Sequence, residues 1–198
     1  MTHKTVILIF SLALSGTPLF VNAQALTYFG ANNDARACYQ GAVNTGRSYG
    51  RIGASAQRCN RALELGHLKI KDRAATYVNR GIVHVALKQY EAALKDYQHA
   101  ANLKPEFAEI YVNRGNVYYL TRSFNKAVEQ YNHALKMNIS PPQIAYVNRG
   151  MSYEKLGDIT SAQADYRKAI ELDPEWEVAQ SKLQLLLLKQ RQKERSKI

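Results

Sequence analysis

Three asparagines recur within the same five-residue phrase, Tyr-Val-Asn-Arg-Gly, and their side chains are suited to recognition chemistry. They are Asn79, Asn113 and Asn148, which lie 34 and 35 residues apart. Each carboxamide offers both a donor and an acceptor, so a row of them can pair with the backbone of an extended polypeptide. The alternative is that they only hydrogen-bond a neighbouring helix, since asparagine is unfavourable inside a helix without such a partner.

The spacing of the phrase defines a repeat, in which small and aromatic residues recur at fixed positions. With position 1 set seven residues before each repeated glycine, positions 4, 8 and 11 lie at helical spacing, and so do positions 20, 24 and 27. Position 8 is Gly81, Gly115 and Gly150; position 20 is Ala93, Ala127 and Ala162; position 24 is Tyr97, Tyr131 and Tyr166. The small residues remove bulk where two helices cross, and the aromatic residues fill the volume beside them. Each repeat is therefore predicted to be a pair of antiparallel helices.

This pattern resembles the tetratricopeptide repeat, and the resemblance covers residues 74–176 nearly continuously. It implies an all-α fold, a solenoid of helical hairpins with a C-terminal capping helix. The predicted units are a degenerate hairpin and linker at 24–72 (the linker at 66–72), repeats at 74–107, 108–142 and 143–176, and a solvating helix with a basic tail at 177–198.

The resemblance also implies a concave groove, lined by position 6 of each first helix. Asn79, Asn113 and Asn148 occupy that position and are called the asparagine ladder below. In relatives that bind extended polypeptide, asparagines there hold the backbone of the ligand. The other expected lining residues are Val78, Val112, Val147, Ile82, Asn116, Met151 and Tyr119. Repeats that clamp a carboxyl-terminal chaperone tail carry lysine at position 5, where this chain has valine, so that clamp is not expected.

The arginine of the repeated phrase has a different expected role. Position 7 holds Arg80 and Arg149, and position 23, across the helix pair, holds Asp96 and Asp165. Because arginine readily forks onto carboxylates, we predict two ion pairs within repeats, Arg80 with Asp96 and Arg149 with Asp165. The alternative is a row of arginines presented to an anionic ligand, with Arg114 as its middle member.

The amino terminus predicts export. Residues 1–23 combine Lys4, an apolar run from Val6 to Leu14 and small residues ending at Ala23, which is typical of a secretory signal peptide. The run is shorter than the roughly 20 apolar residues of a membrane span, although an uncleaved anchor or a buried helix remains the alternative. The mature chain is therefore expected in the periplasm or outside the cell, without a stable membrane anchor.

Two cysteines, Cys38 and Cys59, lie in the degenerate hairpin. An even pair in an exported protein favours a disulfide, with two buried free thiols as the alternative. By the repeat count the two residues take positions 5 and 24, which are neighbours in an antiparallel pair. We expect the bridge to staple this terminal unit, which lacks one stacking neighbour.

Function is predicted to be non-catalytic. We find no phosphate-binding glycine loop, nucleophile elbow or metal-ligand spacing, and we expect no cofactor or metal and no specific nucleic-acid partner. The first hypothesis is a scaffold or adaptor that binds an extended segment of a partner protein in the groove. The formal net charge of +11, or +10 without residues 1–23, allows a second, a basic surface binder of anionic polymer or membrane. A third is a self-associating assembly factor, formed by end-to-end stacking of repeats.

Overall fold

The computed structural model describes residues 23–26, 32–45, 49–65 and 67–196. Within these residues all regular structure is helical, which confirms the predicted all-α class. The helices are α1 (Asn33–Val43), α2 (Tyr49–Leu65), α3 (Ile70–Ala86), α4 (Tyr90–Leu103), α5 (Ala108–Leu120), α6 (Phe124–Lys136), α7 (Pro142–Leu156), α8 (Ile159–Leu172) and α9 (Glu177–Arg195). The predicted signal peptide lies outside the described residues, apart from Ala23.

The helices stack as successive hairpins and so form a solenoid. Helix α1 packs on α2, α3 on α4, α5 on α6, and α7 on α8. Each hairpin then packs on the next through α2 and α3, α4 and α5, or α6 and α7, and α9 closes against α8. The first helices, α3, α5 and α7, thereby lie side by side and form one face of the solenoid.

The turn inside each repeat reverses the chain through a left-handed residue at position 15. This residue is Lys88 with φ 59°, Arg122 with φ 62° and Gly157 with φ 81°. A side chain costs roughly 1–2 kcal/mol in this conformation, so only the third repeat makes its turn without that penalty. The turn geometry is thus set by the hairpin packing and is followed even by residues that disfavour it.

The repeated glycines let a tyrosine ring cross the hairpin. A Cβ atom added at Gly115 would lie 2.5 Å from Cε1 of Tyr131, and one at Gly150 would lie 2.8 Å from Cε1 of Tyr166. Both rings are fully buried. The volume freed by the glycine at position 8 is therefore filled by the aromatic residue at position 24, which buries a large apolar area in every repeat.

The amino-terminal hairpin of α1 and α2 contains the predicted disulfide between Cys38 and Cys59. Both cysteines are buried, and the hydrophobic cluster that contains them extends to Val78 on α3. The bridge therefore joins the two helices of the terminal hairpin inside a core shared with the first repeat.

One boundary differs from the sequence prediction. The linker expected at 66–72 ends earlier, because α3 begins at Ile70 and residues 70–72 form its first turn. The amide of Arg73 donates to the carbonyl of Lys69 over 2.8 Å, which closes that turn. Asp72 suits the position, since the helix dipole favours an acidic residue in the first turn.

The last helix, α9, carries Lys193 and Arg195 in its final turn, where the helix dipole favours cations. None of the helices in the described ranges combines the length and the apolar character that a membrane crossing requires.

Candidate functional site: the concave groove

A short extended segment of the chain itself crosses the asparagine ladder. Residues 23–26, called segment 23–26 below, precede α1 in sequence and lie against α3 and α5. The amide of Gln24 donates to Oδ1 of Asn113 over 3.0 Å, and Nδ2 of Asn113 donates back to the carbonyl of Gln24 over 2.9 Å. Leu26 makes the same pair of bonds with Asn79, at 3.0 and 2.9 Å. Each asparagine thus satisfies both backbone groups of one residue.

The pairing has a register and a direction. Asn79 and Asn113, one repeat apart, hold residues two apart in the segment, Leu26 and Gln24. The segment therefore runs from the second repeat to the first as it proceeds from its amino to its carboxyl end. Because these four hydrogen bonds are all to backbone, they recognise the conformation and polarity of the segment more than its side chains.

The third member of the ladder is engaged differently. Nδ2 of Asn148 donates to Oδ1 of Asn116 over 3.1 Å, and the same oxygen accepts from the hydroxyl of Tyr131 over 2.9 Å. All three side chains are buried. Within the described part of the chain, no backbone segment pairs with Asn148. The predicted lining residue Asn116 therefore belongs to a network that orients the third rung.

The apolar residues predicted to line the groove are buried. Those at position 5 and their neighbours at position 9 lie in the hydrophobic clusters of the solenoid, whereas Tyr119 is half-buried and meets Phe124 edge-on at 5.5 Å. The buried ones are Val78, Val112, Val147, Ile82 and Met151. Ala25 and Leu26 pack against the cluster of Val78 and Ile82, so the segment adds apolar contact to its backbone pairing.

The structure brings both predicted ion pairs together. Nε and Nη2 of Arg149 donate to the two carboxylate oxygens of Asp165 over 2.8 and 2.6 Å, and those of Arg80 donate to Asp96 over 2.9 and 2.7 Å. Burial opposes the charge on Arg149, but the hydrogen bond and the charge of Asp165 outweigh it and raise the pKa of the guanidinium. Burial raises the pKa of Asp165, and Arg149 offsets part of that effect. Both guanidinium groups are therefore engaged within the fold.

Sequence reasoning missed a second partner of each arginine. Nη1 of Arg80 donates to Oδ1 of Asn60 over 2.8 Å, and Nη1 of Arg149 donates to Oδ1 of Asn132 over 2.5 Å. Both asparagines lie on the second helix of the preceding hairpin, at position 25 when the repeat count is extended. The arginine thus ties adjacent hairpins together as well as the two helices of its own repeat, and the matching position was available in the sequence as a signal.

The second repeat lacks this arrangement. Position 23 is Gln130 there, and its buried Oε1 has no hydrogen-bond partner among the residues that the structure describes. Arg114, at position 7, is half-buried and makes no ion pair or hydrogen bond within the described ranges. The middle repeat therefore holds a guanidinium and a carboxamide that do not satisfy each other.

Charged groups gather where the groove reaches α9. Oε1 of Glu154 accepts from Nζ of Lys189 over 2.7 Å, and Oε2 accepts from the hydroxyl of Tyr166 over 3.2 Å. Burial lowers the pKa of the nearby Lys182 to about 8, with Glu154 acting against that shift. Burial and the charge of Glu154 raise the pKa of Tyr166. The described residues contain no cluster of three or more side chains that could hold a metal ion.

Comparison with known families identifies the repeats. A model described as TPR repeat matches residues 81–121, and models of the tetratricopeptide repeat match residues 108–138 and 144–175. No curated protein sequence matches the chain.

Solved structures share the fold. A thermophilic TPR protein of Thermus thermophilus superposes with a TM-score of 0.67 at 18% identity, covering 79% of this chain and 82% of that one. YrrB, a TPR protein described as having an unusual peptide-binding site, superposes with a TM-score of 0.58 at 22% identity, covering 68% of this chain and 67% of that one. The first TPR of Spaghetti, bound to an HSP90 peptide, superposes with a TM-score of 0.57 at 23% identity, covering 63% of this chain and 98% of that one. The chain is thus similar to these proteins in fold.

Proposed function

We propose that this array of tetratricopeptide repeats binds an extended segment of a partner polypeptide in its concave groove and acts as a non-catalytic scaffold or adaptor. Proteins of this fold generally mediate protein–protein interactions, and two of the similar structures carry peptide binding in their descriptions. The proposal rests on one observation, the pairing of Asn79 and Asn113 with both backbone groups of Leu26 and Gln24.

Segment 23–26 serves as a template for such a ligand. Its backbone is extended, its alternate residues are paired, and its apolar residues contact the core cluster. A partner segment bound in the same way would form the same four hydrogen bonds and would have to displace segment 23–26. The segment is tethered to α1, so it competes at a high effective concentration.

The predicted export of the chain extends this proposal. If a signal peptidase cleaves after Ala23, Gln24 becomes the first residue of the mature protein, and the groove occupant becomes its free amino-terminal arm. The partner would then be a periplasmic or extracellular polypeptide. The nitrogen of Gln24, which would become the terminal amine, lies 3.0 Å from Oδ1 of Asn113 in the uncleaved chain.

The test measures binding of a synthetic peptide with the sequence of residues 19–28, labelled with a fluorophore and followed by anisotropy. The full chain carries Gln24→Pro and Leu26→Pro, which remove the two amide donors of segment 23–26 and open the groove. We expect the peptide to bind this chain, and Asn79→Ala or Asn113→Ala to weaken binding by about tenfold, since each removes two hydrogen bonds.

A matched control is Asn102→Ala, an exposed asparagine on α4 that bonds only Gln98. The chain with this added substitution should bind the peptide with the same affinity as the chain that carries the two proline substitutions alone. If Asn79→Ala and Asn113→Ala leave the affinity for the peptide unchanged, the groove is rejected as its binding site. A steep loss of binding with added salt, in place of dependence on the ladder, would instead favour the basic-surface hypothesis.

A further inference from the structure

Helix α9 repeats the structure of a first helix, although no second helix follows it in the described part of the chain. In α5 the buried residues at positions 3, 6 and 10 are Ile110, Asn113 and Val117. If the repeat count is continued after the third repeat, residue 177 takes position 1 of a fourth unit. The buried residues of α9 are then at the same three positions, 3, 6 and 10: Ala179, Lys182 and Leu186. Lys182 follows Asn148 by 34 residues, as Asn113 follows Asn79.

The junctions that lead into these two helices are also alike. The amide of Trp176 donates to the carbonyl of Asp173 over 3.2 Å before α9, and that of Phe107 donates to Lys104 over 3.2 Å before α5. The backbone angles of the capping residues agree as well, φ −78° and ψ 93° for Trp176 against φ −79° and ψ 97° for Phe107. Lys182 is therefore the fourth rung of the ladder, where an ammonium replaces the carboxamide.

Lys182, which carries this ammonium, is a largely buried residue without a direct partner in the described ranges. Lys182 is 9% exposed, and within the described residues it makes no hydrogen bond or ion pair. The carboxylate that acts on it electrostatically, Glu154, already accepts from Lys189 and Tyr166. A buried cation that lacks an ion pair is unfavourable, and the low pKa of Lys182 has the same cause.

The register of segment 23–26 shows which ligand residue meets this rung. Leu26 lies at the first rung and Gln24 at the second, so each rung holds the residue two places earlier. A ligand that follows the ladder presents to Lys182 the residue six places before the one held by Asn79. In an extended chain, residues separated by an even number share one face. Gln24 is 5% exposed as a residue and both polar atoms of its side chain are buried, so this side chain points into the protein.

We propose that the groove selects an extended polypeptide with an acidic side chain at the residue facing Lys182, six places before the residue held by Asn79. This proposal rests on the function proposed above and adds its ligand class. An aspartate or glutamate there supplies the missing counter-charge and accepts a hydrogen bond from the ammonium. A neutral side chain at that place leaves the cation desolvated and unpaired.

The experiment uses the full chain with Gln24→Pro and Leu26→Pro and two variants of the residue 19–28 peptide. In one the residue corresponding to Phe20 is glutamate, and in the other it is glutamine; a third peptide carries glutamate one place later, in place of Val21. We expect the peptide with glutamate at this place to bind about tenfold more tightly than the peptide with glutamine, because a hydrogen bond to a charged group contributes about that much to affinity. Glutamate in place of Val21 should give no comparable gain, because that side chain lies on the other face.

Lys182→Met should abolish the preference for glutamate over glutamine. Lys193→Met, at an exposed position of α9, removes the same charge and should keep the preference. An unchanged preference in Lys182→Met, or no preference in a chain that binds both peptides, overturns the inference while the groove stands. If none of the peptides binds, the groove itself is rejected. Circular dichroism checks that Lys182→Met remains helical, and Lys182→Gln repeats the test if it does not.

Discussion

Replacing Gln130 with aspartate is expected to stabilise the protein by completing the arrangement that the first and third repeats already have. There, an aspartate at position 23 accepts two hydrogen bonds of 2.6–2.9 Å from an arginine at position 7. In the second repeat the arginine is Arg114, and the buried Oε1 of Gln130 has no partner. The substitution removes that unsatisfied oxygen and gives the guanidinium a carboxylate.

The magnitude follows from opposing contributions. Each charge-assisted hydrogen bond contributes about 1.5–3 kcal/mol, and an unsatisfied buried group costs about 1–3 kcal/mol. Against these stands the desolvation of the carboxylate, which is several kcal/mol for a buried ion. The side chain of the paired aspartate is only 4% exposed in the first repeat and 6% in the third, so this penalty is nearly complete. We expect a net gain of about 1 kcal/mol, or about 3 °C in Tm for a chain of this size.

Urea denaturation followed by circular dichroism measures the free energy of unfolding of the parent, Gln130→Asp, Arg114→Met and the double variant. The double-mutant cycle should give a favourable coupling between Arg114 and Asp at position 130 of about 2 kcal/mol. Asp165→Asn is the converse control, expected to destabilise because it leaves Arg149 without its carboxylate. If Gln130→Asp destabilises the chain equally with and without Arg114, the reasoning is refuted.

Two further predictions concern the ends of the solenoid. Replacing Cys38 and Cys59 with serine should lower the free energy of unfolding by about 3 kcal/mol, as expected for a loop of 21 residues, and an unchanged urea midpoint would contradict this. Because the pKa of Lys182 is lowered to about 8 from 10.5, the unfolded chain binds more protons between those pH values, and stability should rise with pH across them. Relative to Lys182→Met, the free energy of unfolding of the parent chain should increase by about 3 kcal/mol from pH 7.5 to pH 10.5. If the free energies of unfolding of the two chains change in parallel with pH, the buried ammonium is excluded.

The helices were predictable because their signals are local and repeated. Glycine at position 8 and tyrosine at position 24 recur in register, and the structure places them in contact, as with Gly115 and Tyr131. The disulfide followed from the same count applied to a degenerate unit. The start of α3 was misplaced because the count began at residue 74, whereas Ile70 adds a turn that the other repeats lack.

The occupant of the groove could not be predicted, because recognition through backbone leaves no side-chain signature. Nothing in the types of Gln24 and Leu26 distinguishes them from any other extended residues, and only the placement of their amides and carbonyls opposite the ladder reveals the match. Lys182 was missed for another reason. Its spacing was readable, but its residue type breaks the asparagine pattern, and its burial depends on α9 packing against α8.

Backbone recognition and a tethered occupant together determine what an external ligand needs. Because Asn79 and Asn113 pair with backbone groups alone, a ligand gains nothing at these two rungs that segment 23–26 does not already have. The segment and the groove belong to one chain, so equal pairing favours the segment over a free ligand. The advantage of an external ligand must therefore come from rungs that segment 23–26 leaves unpaired, Asn148 and Lys182. Segment 23–26 covers the first two rungs, with Leu26 at Asn79 and Gln24 at Asn113. A ligand long enough to place a carboxylate at Lys182 gains an interaction that segment 23–26 does not make.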